Sequence, residues 1–303
     1  METDDIIQLD SIEKYCSLHG LPVRHPQVAV VDLHEATRIP EHVRLNYGLY
    51  AFFIKHGIGC SIHYGRQPYD YQEGTVVSFA PGRTVEIRIT NPEASRDVEG
   101  LLFHPDLILG TPLAAKMADY DFLNYAQTEA LHMSADEQQV LCDCMQKIRE
   151  ETERASDAHS RHLICVYIEL FLEYCLRFYD RQFATRSRVN NSVVRQFEQN
   201  LTEYFQQGKA GYEGLPSVRY FADKACLSPN YFGDLVKKET GRTAKDYIQT
   251  KLIDVSKQSL VASDSSVAQI ADSLGFQYPQ HFIRLFKSQV GCTPREFRMR
   301  ARV

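Results

Sequence analysis

No apolar run in the sequence approaches the roughly 18 residues that a membrane-spanning helix needs. The first ten residues are acidic, without the basic start and apolar stretch of a secretory signal. The expectation is a soluble cytoplasmic protein, associated with the bacterial nucleoid and not with a membrane. None of the eight cysteines forms a Cys-x-x-Cys pair. Reduced, mostly buried thiols are therefore expected. Cys142 and Cys144 come nearest to a metal or redox motif. They fall inside a helical pattern, where residues two apart face different sides. There is no His-x-His, the pair that on a strand aims two imidazoles at one ion. His56, His63 and His104 stand apart from one another. Gly-x-Ser-x-Gly, a phosphate-binding loop and Gly-x-Gly-x-x-Gly are missing too, which removes the common hydrolase and nucleotide-binding signatures. No catalytic residue, metal or cofactor is expected, and the chain does not read as an enzyme.

What is present divides the 303 residues into two halves of opposite charge. Residues 190–303 hold 16 Lys and Arg against 11 Asp and Glu, whereas residues 1–189 hold 18 against 28. The overall charge of −5 thus hides a basic C-terminal half, suited to a polyanion.

Residues 1–110 read as short strands: 25–31, 49–56, 59–64, 75–79 and 85–90, parted by turn signals such as Pro81-Gly82. That spacing predicts a small sandwich or barrel. From Thr111 the period turns helical. Ser134 and Glu137 make a capping-box signature, followed by an apolar stripe of Val140, Leu141, Cys144, Met145 and Ile148. A second helix is expected over about 158–183. Its apolar surface exceeds what a hairpin can hide on itself, so it packs on the strands, forms a dimer interface, or does both. The polar stretch from Thr185 to Asn191 reads as a linker between domains 1–185 and 190–303.

The second domain contains a repeat. Ser217-Val218, Phe221-Ala222-Asp223, Phe232, Lys237 and Gly241-x-Thr243 recur as Ser266-Val267, Ile270-Ala271-Asp272, Phe282, Lys287 and Gly291-x-Thr293. The offset grows from 49 to 50 across the inner turn, so one copy carries an extra turn residue. Each copy has a plausible serine cap, a small alanine where helices cross, a short turn, a proline at the start of a second helix, and a terminal glycine. Two helix-turn-helix units, at about 217–241 and 266–291, are the result.

These residues carry a resemblance. Ile270-Ala-x-x-x-Gly-Phe276, His281-Phe-x-Arg-x-Phe-Lys287 and Gly291-x-Thr-Pro-x-x-Phe-Arg298 resemble the C-terminal signature of AraC/XylS-type transcription regulators; the first copy matches through Leu227-Ser-Pro-x-Tyr-Phe232 and Lys237-Lys-Glu-Thr-Gly241. The resemblance implies a seven-helix domain that binds double-stranded DNA, with a helix over about 245–260 joining the units. It also implies an N-terminal cupin-like β-barrel that senses a small molecule or dimerises. Tyr69 to Gly82 is similar to that barrel's central hairpin. The expected fold class is α+β: a cupin-like barrel with a helical hairpin, then an all-α domain.

The pattern gives each second helix an outward face. Asn230, Gly233 and Asp234 in the first unit, and Gln280, Ile283 and Arg284 in the second, are expected at base edges. Lys237, Lys238, Lys245 and Lys287 are expected on phosphates. Gly233 and Asp234 reach less far than Gln280 and Arg284, so the second unit should carry more specificity. In the N-terminal half Phe52, Tyr64, Tyr71 and Phe79 are aromatics that either fill a core or line an effector pocket. Expected partners are operator DNA, a small-molecule effector, a second copy of the chain and RNA polymerase.

Overall fold

In the computed structural model the chain divides after Thr185 into two units, 1–185 and 186–303. The structure describes residues 6–40, 42–56, 63–64, 67–68, 74–88, 96–125, 129–185 and 187–301.

The strands of the first unit are β1 (Ile6–Leu9), β2 (Val28–Asp32), β3 (His42–Tyr47), β4 (Tyr50–Lys55), β5 (His63–Tyr64), β6 (Gln67–Pro68), β7 (Thr75–Phe79), β8 (Arg83–Arg88), β9 (Val98–Phe103) and β10 (Leu131–His132). They form a three-stranded sheet in the order β1-β3-β8 and a five-stranded sheet in the order β10-β7-β4-β9-β2, with a small β5-β6 ladder. Among the described residues only the β1–β3 pairing is parallel. Among the described residues the sheets are not closed into a barrel. The α+β class holds, and the described strands form open sheets packed over a shared core.

Side-chain alternation decides what each face meets. Ala51, Phe53 and Phe79 point into the core with Leu45, Tyr47 and Val85 of the other sheet. Phe52 points the opposite way, 5.3 Å from the ring of Phe171 in a long helix. The helices of this unit are α1 (Ile12–His19), α2 (Pro105–Ile108), α3 (Pro112–Lys116), α4 (Ala135–Glu153) and α5 (Ser160–Thr185). Ser134 and Glu137 close the capping box read from the sequence. The Arg181 guanidinium then grips the Glu137 carboxylate at 3.0 and 2.7 Å, tying α5 to the start of α4.

Helix α1 lies within the stretch read as all strand. Ser11 caps it and Gly20, in the left-handed region, ends it. Two turns are too short to impose a period on neighbouring β-rich sequence. The linker reading is also corrected. Backbone from Ser187 is helical, and Arg186 lies outside the described residues.

The second unit is all helical: α6 (Ser187–Gln206), α7 (Ala210–Glu213), α8 (Val218–Ala225), α9 (Pro229–Thr240), α10 (Ala244–Ala262), α11 (Val267–Ser273), α12 (Pro279–Val290) and α13 (Pro294–Ala301). Phe197 of α6 sits 5.0 Å from Phe221 and 5.3 Å from Phe232, closing one core. Phe276, Phe282, Phe286 and Phe297 form a second aromatic chain with steps of 5.4, 5.7 and 5.6 Å. Fully burying each such ring contributes about 1.5–3 kcal/mol, which is how helices this short hold together.

Candidate nucleic-acid interface

Each helix-turn-helix is built by the same local physics. Ser217 and Ser266 accept hydrogen bonds from the backbone N–H three residues on and so start α8 and α11. Ala222 and Ala271 are fully buried at the crossings, where a larger side chain would force the helices apart. The turn then needs a left-handed residue. Cys226 (φ 58°) fills that place in the first unit and Gly275 (φ 87°) in the second. The bonding matches: Leu227 N–H donates to Ala222 O at 3.0 Å, and Phe276 N–H to Ala271 O at 2.9 Å. Gln277 is the extra turn residue of the second copy, and Tyr278 stands where Ser228 does in the first. Tyr278 serves as the N-cap of α12 without a side-chain cap bond, whereas Ser228 caps α9 through Tyr231 N–H. Pro229 and Pro279 open the second helices, and Gly241 and Gly291 end them at φ 72° and 82°.

The buried face of α9 is Tyr231, Phe232, Leu235 and Val236; that of α12 is Phe282 and Phe286, with Leu285 half-buried. Asn230, Lys237 and Lys238 are exposed on α9, while Gly233 and Asp234 are half-buried. Gln280, Ile283, Arg284 and Lys287 are all exposed on α12, and Lys245 is exposed in the first turn of α10. Ile283 leaves 37% of its surface to solvent on that face. Tyr231 and His281 occupy equivalent places in the repeat, yet Tyr231 is buried and His281 exposed. Helix α9 packs against α6 as well as α8, whereas α12 is flanked by α11 and α13.

Two further side chains fix the frame. Tyr247 of α10 donates to the Glu198 carboxylate of α6, which pushes its phenol above the usual range. Arg298, the last residue of the quoted motif, donates to the carbonyls of Leu260 at 2.9 Å and Ser265 at 2.7 Å. Its position in the sequence gave no sign that it closes the end of α10.

Residues 221–300 match the family model of a helix-turn-helix domain. The regulatory protein YesN of Bacillus subtilis (strain 168) is 38% identical over 78 residues, 25% of this chain and 21% of its own. The transcriptional activator RhaS of Escherichia fergusonii is 36% identical over 77 residues, 25% of this chain and 28% of its own. Residues 221–300 of the second unit thus carry a helix-turn-helix domain. Outside that domain the likeness is thinner: the HTH-type regulator YobQ of Bacillus subtilis is 20% identical over 231 residues, 75% of this chain and 83% of its own. The chain spans about a fifth of the length of YesN.

Of the four aromatics singled out in the first unit, the two whose side chains are described do not share a face of the sheet. Phe52 (0% exposed) and Phe79 (6%) are core residues on opposite faces of the five-stranded sheet, so they do not line one cavity. Tyr71 and the side chain of Tyr64 lie outside the described residues. No helix is long and apolar enough to cross a membrane among the described residues.

Proposed function

We propose that the whole chain is a sequence-specific transcription regulator, not an enzyme, working in the cytoplasm on double-stranded DNA. The observation that carries this reading is the pair of α9 and α12, each anchored by buried aromatics and each presenting polar side chains on its outer face. Helix α10 has 19 residues, a rise of about 28 Å at ~1.5 Å per residue. That length suits two helices seated in successive major grooves, about 34 Å apart. Asn230, Gly233, Asp234, Gln280, Ile283 and Arg284 are assigned to base edges. Gln pairs with adenine, Arg with guanine, and Ile283 touches a thymine methyl. Lys237, Lys238, Lys245 and Lys287 are assigned to phosphates.

For the first unit the reading is self-association through α5, with effector sensing and contact to RNA polymerase as further roles. Leu163, Val166 and Leu170 are 39%, 45% and 43% exposed. Their 3–4 spacing is the seam of a paired coiled coil. The cupin-like ancestry of its sheets remains part of this proposal.

Selection of random duplex DNA by the full chain tests the first reading. A bipartite motif with parts one helical turn apart supports it. No enrichment over non-specific binding, at any effector or salt condition tried, sinks it. Sedimentation of the full chain and of Val166→Asp tests the second: a dimer that the substitution converts to a monomer is expected, and a wild-type monomer at high concentration ends the idea.

A further inference from the structure

Three side chains that stand 43 residues apart in sequence meet under α4. Ile54 of β4 pairs with Glu99 of β9, so the Glu99 carboxylate leaves the sheet on the Ile54 face. His56 follows two residues later on the same face, held by its N–H donating to Asp97 O at 3.2 Å. Gln138 and Cys142, one turn apart on α4, look down on that spot. The Gln138 side-chain amide is hydrogen-bonded to His56 Nδ1. This fixes the ring and leaves Nε2 buried with no hydrogen-bond partner. A ring nitrogen of His56, a Glu99 carboxylate oxygen and Cys142 Sγ all lie within 4.8 Å of one another. The Nε2–Oε1 separation is 3.9 Å, too long for a hydrogen bond.

We propose that these three residues bind one divalent transition-metal ion of the zinc class. A tetrahedral ion with bonds of ~2.0–2.3 Å sets its donors about 3.3–3.7 Å apart, so small side-chain rotations bring the trio into place. One imidazole, one carboxylate and one thiolate suit zinc, cobalt or nickel; magnesium and calcium take oxygen alone. Three protein donors leave a fourth position for water or a ligand. Cys142 binds as thiolate, and its proton passes to solvent. With its side-chain amide turned so that Oε1 accepts from Nδ1–H, Gln138 is the outer partner that holds the imidazole and leaves the Nε2 lone pair for the ion. The site is not legible in the sequence because no two ligands are close in the chain and a lone histidine follows β4. The site would also clamp α4 to the end of the β4–β9 pair, giving the first unit a metal-dependent element.

The test is uptake of Co²⁺ by the full chain, followed by absorption. One ion per chain is expected, with a thiolate-to-cobalt charge-transfer band that Zn²⁺ removes by competition. Cys142→Ser should abolish the band, and His56→Gln should weaken binding at least tenfold. Glu99→Gln and Gln138→Ala, checked for native circular dichroism, should each bind about tenfold more weakly and keep the band. No retained ion, or a band of unchanged intensity in Cys142→Ser, overturns the proposal. So does unchanged affinity in both His56→Gln and Glu99→Gln.

Discussion

The Arg298 guanidinium caps the Leu260 carbonyl from 38 residues away, at 2.9 Å, and takes the Ser265 carbonyl at 2.7 Å with its other arm. One cation thus satisfies an acceptor in the last turn of α10 and another in the loop before α11. Arg298→Ala leaves both half-buried acceptors short of a charged donor. It should cost about 1.5–3 kcal/mol, read as faster hydrogen exchange across α11 and α12. Protection within about 0.5 kcal/mol of wild type would show that water replaces the guanidinium without loss.

The two left-handed turn residues make opposite predictions. Cys226 bears a Cβ where the backbone favours glycine, so Cys226→Gly should stabilise the second unit by about 0.5–1 kcal/mol. At Gly275 an added Cβ would lie 2.6 Å from the Gly214 carbonyl carbon and 2.7 Å from Ala210 O. Gly275→Ala therefore meets α7 as well as the φ penalty and should cost more than 2 kcal/mol. Urea midpoints of the two variants, moving in opposite directions, are the check; movement in the same direction would mean the turns are not equivalent.

On DNA, Arg284→Ala should lose about 1–3 kcal/mol at one guanine-containing base pair and relax preference there. Lys287→Ala should weaken all sequences alike and lower the salt slope by about one. Competition binding against single-base operator variants separates the two. An Arg284→Ala loss spread evenly over every sequence would assign that side chain to the backbone.

Stability should fall in acid for a specific reason. Burial, aided by the Arg181 cation, pulls the His132 imidazole down to about 4 from an ordinary 6.5. Between those values the unfolded chain holds a proton that the folded chain refuses. Stability is therefore full above pH 6.5, drops as pH falls through the window, and stops changing on this account below about 4. The full effect is on the order of 3 kcal/mol. His132→Gln should flatten the pH dependence of the first unit's urea midpoint by that amount. A wild-type slope that persists in the variant would place the titration elsewhere.

The second unit was legible because its determinants are local. Ser217, Ala222, Pro229, Gly241 and their counterparts each act within one or two helical turns, and the repeat states them twice. Strand β7 could be read at its observed bounds for the same reason, having turn signals on both sides. What escaped was contact at a distance: the α1 caps inside a β-rich stretch, Arg298 reaching Leu260, and His56 meeting Cys142 through the β4–β9 register. The polar run before Asn191 misled because composition there speaks of solvent, and an exposed helix is polar as well.

Helix α10 has one more consequence. A flexible tether of 19 residues would let the two reading heads wander over a broad volume. In the proposed docking a helix would hold them at a set distance and a set angle around the duplex axis. Once one head is seated, the other faces its half-site at high effective concentration. The same stiffness makes the pair intolerant of phase. An operator with one or two base pairs added between its halves would turn the second half-site away around the axis, and the protein would then bind as a single weak head.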